Sequence, residues 1–275
     1  MDSPATLPTL AIVIPAYNEE KTIRACVLAA LGQTIPADDI IVVDNKSTDA
    51  TDVILRGMQK EFPDAPLRVL HQDEAQGITP TRNMGFDAVT ADIIGRIDSD
   101  SVLEPNWVEE TKKVFLDPAI DAATGPVIYY DLPLRRYMAK ADNSARKAIS
   151  RLVKQYHFLF GTNMALRRTA WEAVRDDICL DADLHMFEDI DLSVHLFDDG
   201  FTIVYSPTMV TGMSSRRVDD SPKDFLSYVK RFDTTYDHHG LRTRRLRIPQ
   251  WGYLGVYPLA KGLRWSMKLR ENSRL

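Results

Sequence analysis

The sequence predicts an α/β fold built on a mostly parallel, doubly wound sheet, and three observations predict it. Strand-like and helix-like runs alternate from the N-terminus. The strand-like runs are continuous apolar stretches, as expected of strands covered on both faces. The unusual polar residues of the first half collect where those runs end, which is where open α/β sheets bind ligands. At 275 residues, with 44% hydrophobic and 27% charged residues, the chain has the composition of an ordinary globular protein able to bury a full core.

Leu10-Ala11-Ile12-Val13-Ile14 is the first strand-like run, ended by Pro15. Residues 19–31 read as a helix with Ile23, Val27, Ala30 and Leu31 on one face. Ile40-Ile41-Val42-Val43 is the second run and stops at Asp44. Ser47-Thr48-Asp49 would cap a helix reaching about Lys60. Leu67-Arg68-Val69-Leu70 is the third run, and Thr79-Pro80 opens a helix with proline in its first turn. The fourth run, residues 92–97, leads into Asp98-Ser99-Asp100, and Glu104-Pro105 starts the next helix. Crossovers between such parallel strands are right-handed.

Asp98 and Asp100 lie one residue apart at a strand end, so both can turn toward one hard cation, which could hold a diphosphate. The tripeptide alone is a weak signal, because residues 181–183 and 189–191 match it. Its place at the fourth strand end makes it specific. Pro15, Ala16, Tyr17 and Glu19 follow the first strand, Asp44 the second, and Gly77 the third, with Arg82 in the helix beyond. Carboxylates accept from a base or a ribose, and arginine grips phosphate. Together these favour a nucleotide site. The chain has neither a Gly-rich dinucleotide fingerprint nor a P-loop, so phosphate charge must be met by metal and arginine.

Residues 121–130 read as one further strand, 133–156 as a basic amphipathic helix, and 161–168 as a glycine-led loop entering a short strand. Trp171 is expected in the core. In the helix that follows, Ile190, Val194 and Phe197 share a face. Glu188 and Asp189 sit in its first turn, where the helix dipole favours ionised carboxylates. They are either plain capping residues or a base aimed into the cleft.

In order along the chain occur residues 12–19 (Ile-Val-Ile-Pro-Ala-Tyr-Asn-Glu), 43–49 (Val-Asp-Asn-Lys-Ser-Thr-Asp), Arg82-Asn83-Met84-Gly85, Asp98-Ser99-Asp100, Gly161-Thr162-Asn163-Met164-Ala165 and Glu188-Asp189. This ordered set resembles the family 2 glycosyltransferases, whose fold is GT-A, over roughly residues 8–215. The resemblance implies an inverting, non-processive enzyme that moves one sugar from a nucleoside-diphosphate sugar to a hydroxyl acceptor with Mn²⁺ or Mg²⁺. UDP is the nucleotide it favours, with GDP and dTDP open. It implies that Pro15, Ala16, Tyr17, Glu19, Asp44, Gly77, Arg82, Asp98 and Ser99 line the donor. Asp100 and Asp98 would hold metal, with Asp189, or Glu188 beside it, as base. Gly161, Thr162 and Asn163 would face the acceptor, a glycan or lipid-linked molecule of the cell envelope. The Gln/Arg-rich, Trp-containing motif of processive members is replaced by residues 228–240, which leaves His238, or His239, as candidate third metal ligand. Two alternatives stay open: a sugar-phosphate nucleotidyltransferase and a catalytically silent nucleotide-sugar-binding module.

The domain reading is a catalytic unit at 1–215, with a donor half near 8–130 and an acceptor half at 131–215, followed by a helical extension at 216–275. The net charge of −5 hides an asymmetry: residues 216–275 carry 14 Lys/Arg against 6 Asp/Glu, whereas the first 215 carry 20 against 33. That profile does not suit a nucleic-acid binder. Arg242, Arg244, Arg245 and Arg247 precede Trp251, Tyr253, Tyr257 and Trp265, and Pro258 is expected to open a final helix. Basic and aromatic residues there fit peripheral contact with an anionic membrane through 241–275, and the alternative is a tail that packs on the body or mediates a dimer. Residues 1–8 lack signal-peptide features, and Cys26 and Cys179 are expected as buried thiols. The expected place is the cytoplasm, peripheral on the inner face of the plasma membrane.

Overall fold

The computed structural model describes residues 6–131, 158–180, 185–241 and 244–272. The helix expected over 133–156 lies outside them. A seven-stranded sheet runs in the order β3-β2-β1-β4-β8-β6-β9, and a three-stranded one in the order β5-β10-β7. The strands of the large sheet are β1 (Leu10–Ala16), β2 (Asp39–Asp44), β3 (Leu67–His71), β4 (Ile93–Arg96), β6 (Ala122–Thr124), β8 (Met164–Arg167) and β9 (Ile203–Tyr205). Those of the small sheet are β5 (Val102–Leu103), β7 (Val127–Tyr129) and β10 (Thr211–Met213). β1, β2, β3 and β4 are parallel, and β8 runs antiparallel between β4 and β6. Such a mostly parallel sheet flanked by helices is the GT-A architecture.

The helices of the first half are α1 (Ile23–Leu31), α2 (Thr51–Glu61), α3 (Ile78–Asp87) and α4 (Trp107–Val114). β1 and β2 are apolar on both faces because helices cover both, whereas the edge strand β3 exposes Arg68 and His71. Leu10, Ile12 and Ile14 pack with α1 residues Ile23, Cys26 and Val27, while Ala11 and Val13 pack with Phe86 and Trp171 on the other side. The second half supplies α5 (Arg168–Val174), α6 (Glu188–Asp198), α7 (Pro222–His238) and α8 (Ile248–Asn272). A third cluster joins Phe187, Ile190 and Val194 to Phe232, Tyr236 and Leu246, so α7 and the chain beyond it pack on α6.

Four sequence expectations change. The first helix begins at Ile23 rather than Glu19, because Asn18 is left-handed (φ 54°) and ends the extended run. The strand expected over 121–130 is two strands in different sheets, split at Gly125-Pro126. A Cβ on Gly125 would lie 1.9 Å from the Met209 carbonyl oxygen, so only glycine makes that bend. Pro258 lies inside α8 instead of opening it, leaving the Leu254 carbonyl without its helical donor. Cys26 is buried as expected, but Cys179 is only half-buried; both are free thiols.

Candidate active site

Pro15 stands in the central strand β1, where a missing N–H would normally cost a ladder bond. It is tolerated because β4 pairs with β1 only from Leu10 to Val13, and the Val13 carbonyl takes the Ile97 N–H at 3.2 Å. Beyond that point β1 and β4 diverge and a cleft opens. Two loops form one wall. The Asn18 N–H donates to Ser47 Oγ (2.9 Å) and the Thr48 N–H to Asn18 Oδ1 (2.7 Å). Ser47 Oγ also donates to Asp44 Oδ1. Asn45 ties in the loop after β3, donating to the carbonyls of Gln72 (2.8 Å) and Ala75 (2.9 Å) and accepting from Gly77 N–H (2.8 Å). Gly77 has φ 140°, which favours glycine. Tyr17 is half exposed at the mouth, while Pro15 and Ala16 are buried in the strand and Asp44 at its end.

Acidic groups line the next part. Glu19, Ser99 and Asp100 are buried. Burial, followed by the negative charges of Asp98 and Glu19, pushes Asp100 up to about 6 against the pull of Arg216. Arg216, in a 3₁₀ turn over Arg216–Asp219, reaches across. Its Nη1 donates to Glu19 Oε2 at 2.8 Å and its Nε lies 3.0 Å from Asp100 Oδ2. Asp98 turns the other way. Its Oδ1 pairs with Arg96 (2.7 Å) and its Oδ2 accepts from Thr162 Oγ1 (2.6 Å). Arg96 is buried in β4 and also meets Glu188 Oε1 at 3.1 Å.

That arginine links the acids after β4 to the pair at the start of α6. Asp189 Oδ2 accepts the Gly161 N–H (2.8 Å), and Oδ1 accepts the Ile190 N–H (2.9 Å). Burial and the neighbouring Glu188 push Asp189 up to about 7, the range suited to a general base near neutral pH. A Cβ on Gly161 would lie 1.5 Å from Arg96 Nη1, so glycine is what lets the arginine pass.

Three expectations change here. Arg82 is fully enclosed: Nη1 donates to the Glu188 carbonyl (2.7 Å), Nη2 to Asn83 Oδ1 (2.8 Å), and the guanidinium lies over Phe86 and Trp171. It props up α6 rather than lining the donor cleft. Gly161 and Thr162 hold Asp189 and Asp98. Asn163 is a buried node that accepts from Trp107 Nε1 (2.8 Å) and donates to the carbonyls of Pro126 (2.9 Å) and Met209 (2.7 Å), so it does not face an acceptor. His238 is exposed at the end of α7, its ring 5.0 Å from that of His239, and His239 faces Asp191 instead. Sequence reading missed Arg216, which lies 197 residues from Glu19. The signal for it was the basic pair Arg216-Arg217 directly after a short strand.

The acids after β4 suit a divalent cation. Asp100 is desolvated beside Glu19 and Asp98, and a guanidinium already provides positive charge there. They form no ready cage: among the described residues, the groups of three ligand atoms within 4.8 Å of one another lie elsewhere. A cation at Asp100 would therefore be completed by phosphate oxygens and water, as Mg²⁺ sites on diphosphates are, and Asp98 would join it only by leaving Arg96 and Thr162.

Comparison with known proteins agrees with this layout. The glycosyl transferase family 2 model matches residues 11–175. Glycosyltransferase AglE of Haloferax volcanii is 32% identical over 125 residues, covering 45% of this chain and 40% of that protein. The putative glycosyltransferase EpsH of Bacillus subtilis is 27% identical over 218 residues, 73% of this chain and 59% of its own length. The chain thus spans two fifths to three fifths of these curated relatives. Among solved structures, the mannosyltransferase PcManGT from Pyrobaculum calidifontis, in complex with GDP-Man and Mn²⁺, superposes with a TM-score of 0.65 at 18% identity. That match covers 95% of this chain and 74% of the other. At that identity the likeness shows the fold.

Proposed function

Since the chain belongs to glycosyl transferase family 2, we propose that it is an inverting, metal-dependent transferase moving one sugar from a nucleoside-diphosphate sugar to a hydroxyl acceptor. The catalytic unit is residues 1–215 and the extension 216–275, whose first residue, Arg216, reaches back into the site. The observation that carries this reading is the pairing of two acidic stations across Arg96: Asp98 and Asp100 on one side, Glu188 and Asp189 on the other. Asp100, with Asp98 once it leaves Arg96 and Thr162, would hold Mn²⁺ or Mg²⁺, and UDP is the favoured nucleotide, with GDP and dTDP open. When bound, the cation offsets the charge of the departing diphosphate. Arg216 releases Glu19 and Asp100 and grips the phosphates, since a guanidinium suits phosphate as well as carboxylate. Tyr17, Asp44 and the loop at Gly77 receive the nucleoside. Asp189 takes the acceptor hydroxyl proton; its two backbone N–H bonds fix the carboxylate, and its raised proton affinity makes it an effective base. Attack from the side away from the diphosphate inverts the anomeric carbon and needs no covalent nucleophile.

The test is Asp189→Asn beside Asp100→Asn, assayed for turnover and, by calorimetry, for nucleoside-diphosphate binding with Mn²⁺. We expect Asp189→Asn to lose about 10²–10⁴ in turnover with donor binding kept, and Asp100→Asn to lose both. Equal loss of donor affinity in the two variants would make Asp189 a donor-site residue and end its role as base.

The acceptor we propose is lipid-linked, met at an anionic membrane surface by α8. Trp251, Leu254, Val256, Leu259 and Trp265 are exposed on this helix, while Lys261 and Arg264 turn inward. Arg264 pairs with Asp131 (2.6 Å) and Asp219 (2.8 Å), and Lys261 donates to the Asp220 carbonyl (2.6 Å). No described helix is long and apolar enough to cross a membrane. Two tryptophans on an apolar face, with arginines in residues 242–247 before the helix and lysine and arginine in the second half of its sequence, fit the interface. Co-sedimentation with anionic liposomes at low salt should fall at least about tenfold in a Trp251→Ser/Trp265→Ser variant, from the apolar area removed. Unchanged pelleting would remove the membrane contact and leave the transferase reading intact.

A further inference from the structure

Behind the base helix, on α6, lies a group the transfer chemistry does not use. Asp191 and His195 are four residues apart, so they share one face of α6. His239, just past the end of α7, comes in from the other side. His239 Nε2 lies 2.9 Å from Asp191 Oδ1, and His195 Nε2 lies 3.6 Å from the same oxygen. All three ligand atoms lie within 4.8 Å of one another. The two imidazole rings are 5.2 Å apart between centroids, at 78°.

We propose that Asp191, His195 and His239 form a zinc-binding site that ties α7 to α6. Tetrahedral geometry around zinc, with ligand bonds of about 2.0–2.1 Å, places neighbouring ligand atoms about 3.3 Å apart. The observed 2.9 and 3.6 Å straddle that value. Two imidazoles on one zinc have centroids about 5.2 Å apart by the same construction, which is the separation found. Two nitrogens and one carboxylate oxygen favour Zn²⁺ over Mn²⁺ or Mg²⁺, so this site is chemically distinct from the acids after β4. The second Asp191 oxygen accepts the Cys179 N–H at 3.1 Å, a support of the kind that holds ligating carboxylates in place. Asp191 is 1% exposed, and a carboxylate so placed is ordinarily paired or bound to a metal. Three protein ligands leave a fourth position for water. The link to α6 is mechanical: Thr235 Oγ1 of α7 already accepts the Phe187 N–H at the start of α6 (2.9 Å). A metal at His239 would fix the second point of contact. The inference does not depend on the transferase reading.

The experiment strips the full chain with a chelator and titrates it with ZnCl₂ against a competing chromophoric chelator, with Mg²⁺ in excess. About one Zn²⁺ per chain should bind, with Kd below about 1 μM. His195→Asn and His239→Asn should each weaken binding at least about tenfold, whereas His238→Asn and Asp100→Asn should leave it unchanged. Should either histidine variant fail to fold, Co²⁺ added to the wild-type chain gives the readout. Intense visible bands of tetrahedral cobalt, bleached by Zn²⁺, support the site. Weak octahedral bands overturn it. So do Zn²⁺ affinity that survives both histidine substitutions and affinity that is lost with Asp100 or His238.

Discussion

Arg96 and Arg216 each bridge two acidic side chains, but they do so in opposite surroundings. Arg96 is 3% exposed between Asp98 and Glu188. Arg216 is 51% exposed between Glu19 and Asp100. Arg96 sits on a central strand, against a glycine that leaves it no slack. Arg216 sits on a single 3₁₀ turn at the rim. A buried cation is part of the architecture even where its partners are only part-buried, as Asp98 (32% exposed) and Glu188 (13%) are, because removing it leaves carboxylates facing a low-dielectric gap. A rim cation competes with water and can be exchanged for another positive group. The molecule therefore uses one arginine to fix the distance between its two acidic stations and another that a ligand can displace.

The largest expected effect that tests this contrast is Arg96→Met. It should destabilise the fold by about 3–5 kcal/mol, because Asp98 and Glu188 lose their buried partner; urea unfolding of the pure protein measures it. A loss below about 1 kcal/mol would place Arg96 in the same class as Arg216.

An intermediate effect comes from pH. One arginine serves Asp98 and Glu188 and lies near Asp189 as well, and Asp189 titrates near 7 rather than at its ordinary value of 3.8. The folded protein thus binds this proton more tightly than the unfolded chain. Stability from this group is greatest below about pH 4 and declines as pH rises to about 7, then levels off. Thermal melts of the ligand-free protein should show a downward component between pH 5 and 7.5 that shrinks in Asp189→Asn, most of all above pH 6, leaving the part that Asp100 contributes. Over the same range kcat/KM should rise as the base ionises. Identical melting profiles for both proteins would show that Arg96 already neutralises the pair.

The smallest effect on stability sharpens the contrast. Arg216→Met should change unfolding free energy by less than about 1 kcal/mol while raising the KM for the donor about tenfold or more, the loss of one charged phosphate contact. If stability falls as far as in the Arg96 variant, Arg216 is architectural too.

The same contrast explains which parts were legible in sequence. The runs that became β1 and β2 were readable because strands covered on both faces are apolar throughout, β3 by its place in the strand–helix alternation, and the strand ends by their concentration of acids. Asp98, Asp100 and Asp189 stood out by position. Arg82 and Asn163 were misread because polar residue types in helices and loops usually face solvent; here ring stacking and carbonyl acceptors make burial tolerable. Arg216 was marked only by the basic pair it forms with Arg217 after a short strand, since its partners Glu19 and Asp100 are remote in sequence and no local period points to them. The split at Gly125-Pro126 was hidden because both halves are apolar and only the third dimension sends them to different sheets.

The place of β8 has a consequence for synthesis. β4 and β6 are made early, yet each pairs with β8, and Met164 follows Arg96 by roughly 70 residues. At a translation rate of about 5–20 residues per second, the open edge of β4 waits about 3–14 s for its neighbour. During that interval Ile93 and Ile94 sit beside unpaired backbone, a template for pairing with another nascent chain. Ribosomes spaced closely on one message would bring such edges together, so slower initiation, or a chaperone that covers an apolar strand, should raise the yield of native protein more than any gain in final stability.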